Sequence, residues 1–288
     1  MRTIEHLVFK GGGVLGIAYA GAIQALDDNQ LLEPITGAAG TSAGSIVAAL
    51  VALKYSSAEI KEIVQSTNFK KFESGFNPLR IPTKYGLYNG DYFLEWLQDR
   101  IKDKTGNPNI TFRELKEQNY RDLRVFATDL NEQNVKEFSY EKTPDVVVAY
   151  SVRASMSIPL FFEAWKFPNN NPDDHVYVDG GTVYNYPINA FEDLSKTLGF
   201  FLYDKQETVN DLDYDHLLKY VKVLFSTLMN SQNIDFDRDS EEHEITVKID
   251  DLGISAVDFD ITDAQEKSLY DSGYNSTKAY IEASQSPT

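Results

Sequence analysis

Residues 35–44 read Ile35-Thr36-Gly37-Ala38-Ala39-Gly40-Thr41-Ser42-Ala43-Gly44, and residues 7–16 read Leu7-Val8-Phe9-Lys10-Gly11-Gly12-Gly13-Val14-Leu15-Gly16. Each passes from a short apolar run through glycines into an apolar, Ala-rich stretch, the pattern of a buried strand turning sharply into a helix. The expected elements are strands at 7–9 and 35–39, each followed by a helix, over 17–26 and 45–55. Further strand candidates at 125–128, 176–178 and 200–203 continue the alternation. Ser56 with Glu59, Thr111 with Glu114, and Thr262 with Gln265 have capping-box spacing and mark helix starts. This order of elements argues for an α/β fold, a mostly parallel sheet with helices on both faces. No linker divides the chain, so residues 1–288 are expected to form a single domain. Residues 68–90, rich in Gly, Pro and Asn, read as a long excursion, and Asn169-Asn170-Asn171-Pro172-Asp173-Asp174 as an exposed loop.

Composition narrows the function. The chain carries 27 Lys and Arg against 44 Asp and Glu, a formal charge of −17. Nucleic-acid binding rests on cationic side chains neutralising phosphates, so a nucleic-acid partner is not expected. The absence of cysteine removes disulfides, thiolate metal sites and a Cys nucleophile. Residues 1–10 lack the apolar run and cleavage site of a signal peptide, and no apolar stretch approaches the ~20 residues of a membrane span. The chain is therefore expected to be cytoplasmic as made, able to touch a membrane from outside, with any export using a signal-independent route.

Two turns carry chemistry. Gly40-Thr41-Ser42-Ala43-Gly44 matches Gly-x-Ser-x-Gly, the strained strand-to-helix turn that lifts a nucleophilic hydroxyl above a sheet edge. The run Gly11-Gly12-Gly13-Val14-Leu15-Gly16 places backbone N–H groups at a helix start, where they can receive the oxyanion of an acyl-transfer intermediate. The same run satisfies Gly-x-Gly-x-x-Gly, which leaves a dinucleotide-binding oxidoreductase as an alternative, with Glu33 as the residue nearest the ribose-binding spacing. A serine also needs a base. Asp179-Gly180-Gly181 follows an expected strand and offers one, while a Ser…Asp…His order would call on His216 or His243. The triplets Asp211, Asp213, Asp215 and Asp235, Asp237, Asp239 open like calcium loops but lack the glycine at position six and the glutamate at position twelve, so they read as a solvated face.

In this order, the glycine run, the serine elbow and Asp179-Gly180-Gly181 resemble the patatin-like phospholipase family in its bacterial form. Thr128-Asp129-Leu130, Arg153-Ala154-Ser155-Met156-Ser157-Ile158-Pro159 and Asn185-Tyr186-Pro187-Ile188 extend the resemblance over roughly residues 5–205, with the acidic part 206–288 packed on the same domain. The resemblance implies a three-layer fold and a serine acyl hydrolase using a Ser42–Asp179 dyad without histidine or cofactor. It implies Gly12 and Gly13 as the oxyanion hole, with Gly11, Gly16, Gly40, Gly44, Gly180 and Gly181 shaping the turns. A phospholipid or other acyl ester is the implied substrate, cleaved in the manner of a phospholipase A or lysophospholipase. Headgroup, acyl position and any activating partner stay open. The family often has Arg or Lys where this chain has Leu15, and Lys10 is a candidate substitute for that charge. That departure keeps a catalytically silent lipid-binding or interaction protein as a second alternative. An aspartate base implies a partly desolvated Asp179, since an ordinary carboxylate is a weak proton acceptor. Phe69, Phe72, Phe76, Tyr88, Phe93 and Trp96, among the apolar residues of 68–101, are candidates for an acyl-chain pocket, a lid or plain core. Residues 204–263 hold 16 acidic and 5 basic side chains, a local charge of −11 that leaves −6 elsewhere, and this segment is expected to face away from lipid.

Overall fold

The computed structural model describes residues 2–204, 217–232 and 240–285. Its strands are β1 (His6–Phe9), β2 (Gly37–Thr41), β3 (Gly86–Tyr88), β4 (Asp122–Asp129), β5 (Asn134–Phe138), β6 (Leu160–Phe162), β7 (Tyr177–Asp179), β8 (Thr197–Tyr203) and β9 (Thr246–Asp250). The α-helices are α1 (Ile17–Asp28), α2 (Ala43–Ala52), α3 (Ser57–Ser66), α4 (Ile81–Lys84), α5 (Asp91–Thr105), α6 (Phe112–Glu117), α7 (Val148–Ser155), α8 (Leu217–Ser231), α9 (Ser240–Glu244) and α10 (Asp263–Gln285).

The central sheet has the order β5-β4-β2-β1-β8-β9, with β4-β2-β1-β8-β9 all parallel and β5 antiparallel at one edge. Crossover helices are what make parallel neighbours possible, and α1 and α2 serve the two innermost connections. Side chains alternate across the sheet. Leu7, Phe9, Ala38 and Val125 enter the main core with α1 and α2, while Val8, Ala39 and Phe126 join a smaller cluster with Ile188 and Phe191. Helical segments cover both faces: α-helices on the first, short 3-10 turns at Ile188–Ala190 and Leu194–Lys196 on the second. The all-small strand Gly37–Thr41 is buried along its length, and Gly37 leaves the room that the Phe191 and His6 rings occupy. Its boundary falls two residues later than the apolar run suggests because Thr36 and Gly37 N–H both bond to Glu5 O before the ladder starts.

All three capping boxes form, at Ser56–Glu59, Thr111–Glu114 and Thr262–Gln265. The excursion at 68–90 is built from short turns around Phe72, whose ring packs among Phe69, Phe93, Trp96 and Phe259. Of the expected exposed loop 169–174, residues 169–171 and 174 are exposed, whereas Pro172 and Asp173 are half-buried, Asp173 accepting from the Tyr177 hydroxyl and pairing with Lys136. Within the C-terminal part, β9 extends the sheet beside β8, and α10 lies along α1, where Gly21 and Gly273 let the two backbones approach. No described helix is long and apolar enough to cross a membrane.

Candidate active site

Strand register brings the two turns together. β2 ends at Thr41 opposite Phe126, and β7, running antiparallel, ends at Asp179 opposite Ala127. Two strands thus approach head to head along the same edge of β4, so Ser42 and Asp179, distant in sequence, leave the sheet at one point. The sequence places Asp179 directly after an expected strand at 176–178 but does not supply this antiparallel approach.

Ser42 sits at φ 52° and ψ −130°, the left-handed side of backbone space that a residue with a Cβ pays about 1–3 kcal/mol to occupy. The elbow is held on both sides. Gly40 abuts the backbone of Gly44 and Ser45, and Gly44 abuts the Phe9 and Lys10 carbonyls, so a methyl at either position would strike main chain. Ser42 N–H donates to Ser155 Oγ at 2.8 Å, and Ser155 Oγ–H donates to Phe126 O. The Ser42 hydroxyl donates to Asp179 Oδ2 at 2.6 Å, with Met156 Sδ 3.6 Å away. Asp179 Oδ1 accepts from Gly181 N–H at 2.7 Å, and Asp179 N–H donates to Ser157 O. Ser42 is 1 % exposed and Asp179 fully buried. Burial pushes the Asp179 carboxyl up to about 7, against the opposing pull of its hydrogen bonds from Ser42 and Gly181. An ester can reach this pair only after the surrounding segments part.

The glycine run borders the elbow, with Gly11 beside the Ser42 Cβ and Gly16 beside Ala43. Gly11 N–H bonds to Asn185 O and Val14 N–H to Ala256 O, whereas the N–H groups of Gly12 and Gly13 donate to no protein acceptor among the described residues. Gly13 takes φ +55°, and the Ala256 carbonyl closes over it. Two free, preorganised donors next to a nucleophile can stabilise an alkoxide, a contribution of about 2.7–4 kcal/mol per donor.

The remaining candidates separate cleanly. Glu33 precedes β2 and lines a hollow with Ile35 and Asp122, at the opposite end of the parallel strands from the glycine run, so it cannot serve a ribose bound there. His6 stacks on Phe191 at the start of β1, His175 Nδ1 pairs with Asp129 at 2.7 Å, and His243 lies on α9 before β9. No described histidine bonds to Ser42 or Asp179, and His216 falls outside the described residues, as do Asp211, Asp213, Asp215, Asp235, Asp237 and Asp239. Asp129, Glu132 and His175 gather beyond β4, but the Asp129 oxygens are taken up by His175 and by the Asn131 and Glu132 N–H groups. Lys10 donates from Nζ to Leu202 O at 2.8 Å and lies over the Phe201 ring, so its charge is tied to the end of β8.

Part of the acidic segment 204–263 lies beside the glycine run. Because β9 runs parallel to β8, its C-terminal end reaches the same sheet edge as Ser42. There Asp251, Asp258 and α8 line a cavity of about 490 Å³ with Lys10, Gly11 and Gly12. At the end of α8, Gln232 accepts from Asn185 N–H and donates to Gly181 O, both at 2.7 Å. Ser155, Met156, Asn185 and Gln232 therefore join the site. The first three lie in stretches singled out by resemblance, while Gln232 carries no local signal at all.

With this fold and arrangement in place, comparison with known proteins is direct. A sequence model described as patatin-like phospholipase matches residues 7–192, and the chain belongs to that family of lipid acyl hydrolases. An uncharacterized protein, R571, of Acanthamoeba polyphaga mimivirus is 30% identical over 96% of this chain and 94% of its own length. A probable lipid hydrolase, 463L, of Invertebrate iridescent virus 6 is 29% identical over 65% of this chain and 63% of its own. Among solved structures, VipD from Legionella pneumophila superposes with a TM-score of 0.70 at 17% identity, covering 97% of this chain and 67% of VipD.

Proposed function

We propose that this chain hydrolyses fatty-acyl esters of phospholipids through a Ser42–Asp179 dyad, as a phospholipase A or lysophospholipase. The observation that carries the reading is the 2.6 Å bond from the Ser42 hydroxyl to a buried carboxyl held up near 7. Such a carboxylate is a far better base than a solvated one, and its protonated form is still acidic enough to give the proton back. Ser42 Oγ attacks the acyl carbonyl as its proton passes to Asp179 Oδ2, and the carbonyl oxygen, now anionic, accepts from Gly12 and Gly13 N–H. Collapse of the tetrahedral intermediate breaks the ester C–O bond, and the leaving lyso-lipid alkoxide takes the proton from Asp179. Water then attacks the acyl-enzyme, giving its proton to Asp179. Fatty acid departs as that proton returns to Ser42. Phospholipid as substrate is supported by the patatin-like phospholipase family, and a lipid substrate more broadly by the similarity to the probable lipid hydrolase 463L.

A fluorophosphonate tests the dyad because it reports nucleophilicity without requiring the right lipid. One adduct per chain, on Ser42, formed more slowly by Asp179→Asn, is expected. A protein that stays unlabelled at pH 8 would instead favour the silent binding protein.

A further inference from the structure

The glycine turn separates two unlike spaces. On one side is the 490 Å³ cavity, which presents Lys10, Lys219 and Asp251. On the other, an apolar crevice starts at Gly13, one of the two free glycine donors, and at Ala43, the neighbour of Ser42. It follows Val47 and Leu50 along α2 for about 10 Å, at 1.5 Å per residue, with Val64 of α3 facing them and Phe69 beyond. The one hydroxyl in its wall among the described residues, Thr67 Oγ1, is already committed, donating to Ile63 O and accepting from Trp96 Nε1. A wall without free polar groups offers a hydrocarbon chain what water does not, whereas the charged cavity would have to be desolvated to take one.

We infer that the crevice between α1, α2 and α3 is the acyl-chain site, with the polar cavity left to the alcohol side of the ester. This rests on the acyl-hydrolase reading above and deepens it: with the carbonyl at the glycine donors, chain and headgroup depart on opposite sides of the glycine turn. As it stands the crevice holds about 50 Å³, room for roughly three to five waters at ~10–15 Å³ each, so once the ester has reached Ser42 a short acyl group matches the space present and a long one must also part α3 and the Phe69 segment.

Kinetics on p-nitrophenyl esters of graded acyl length test this in the full chain, with Ser42→Ala as the control for the dyad. In wild type, kcat/KM should climb by about fourfold for each methylene that enters the crevice. Val64→Phe, on a helix that carries no catalytic group, should lower the octanoate-to-acetate ratio at least tenfold. Phe69→Ala, at a partly exposed position, should raise the ratio, and it decides the matter if Val64→Phe does not fold. Ratios within twofold of wild type in the folded variants would overturn the assignment. Hydrolysis that survives in Ser42→Ala would instead overturn the acyl-hydrolase reading itself.

Discussion

Replacing Asp179 by Asn should make the protein more stable and nearly inactive, and the size of the first effect follows from the site. Asp179 is fully buried and its carboxyl is pushed from about 3.8 to about 7 by desolvation. In the unfolded chain the same group returns to ~3.9. Between these values the folded state holds a proton that the unfolded state has lost, so stability falls as pH rises through the window from about 4 to 7. By pH 8 the cost is on the order of 4 kcal/mol, and near pH 4 it is below ~1 kcal/mol. Asn keeps an oxygen for the Gly181 N–H and cannot ionise, so it removes this cost. For a chain of this size the gain at pH 8 corresponds to roughly 5–10 °C in Tm, shrinking toward zero near pH 4. Loss of the base should lower kcat by 10²–10⁴ at the same time. Thermal unfolding of both proteins at pH 8 and pH 4.5, with ester turnover at pH 8, measures all of this. An Asn variant less stable than wild type at pH 8, or a stability gap indifferent to pH, would refute the desolvated-base argument.

The same carboxyl sets the pH dependence of catalysis: kcat/KM should rise with pH along a limb centred near 7, and a limb near 4 would mean that Asp179 is solvated when it works. Backbone strain at Ser42 should make Ser42→Gly about 1 kcal/mol more stable than Ser42→Ala, the reverse of the order inside a helix, as urea unfolding will report. Ser155→Ala strips an acceptor from Ser42 N–H and a donor from Phe126 O, both buried. It should cost about 2–4 kcal/mol and slow turnover by loosening the elbow. A variant with wild-type stability would show that neighbouring groups re-pair those atoms.

How much of this was legible in the residues differs from part to part. Glycine spacing around Ser42 is read easily because Gly40 and Gly44 are required by backbone contacts made within one strand–turn–helix unit. The capping boxes are equally local. Proximity of Ser42 and Asp179 is not local at all. It depends on β4 pairing Phe126 with Thr41 and Ala127 with Asp179, a register no periodicity reveals, and it reached the sequence reading only through a family resemblance. Charge arithmetic over residues 204–263 averages over the segment and gives no position for its members, whereas β9 follows the parallel direction of β8 and delivers Asp251 to the sheet edge where Gly12 lies. Gln232 was invisible for the same reason, its hydrogen bonds being to main-chain atoms of Gly181 and Asn185.

The central claim, acyl-ester hydrolysis by Ser42 with Asp179 as base, is tested most directly by fatty-acid release from phospholipid vesicles with the wild-type chain, Ser42→Ala and Asp179→Asn side by side at pH 8. Release by wild type, its absence with Ser42→Ala and a loss of at least a hundredfold with Asp179→Asn are predicted. Equal release by all three proteins, or none by a folded wild type that also leaves short-chain esters intact, would contradict it.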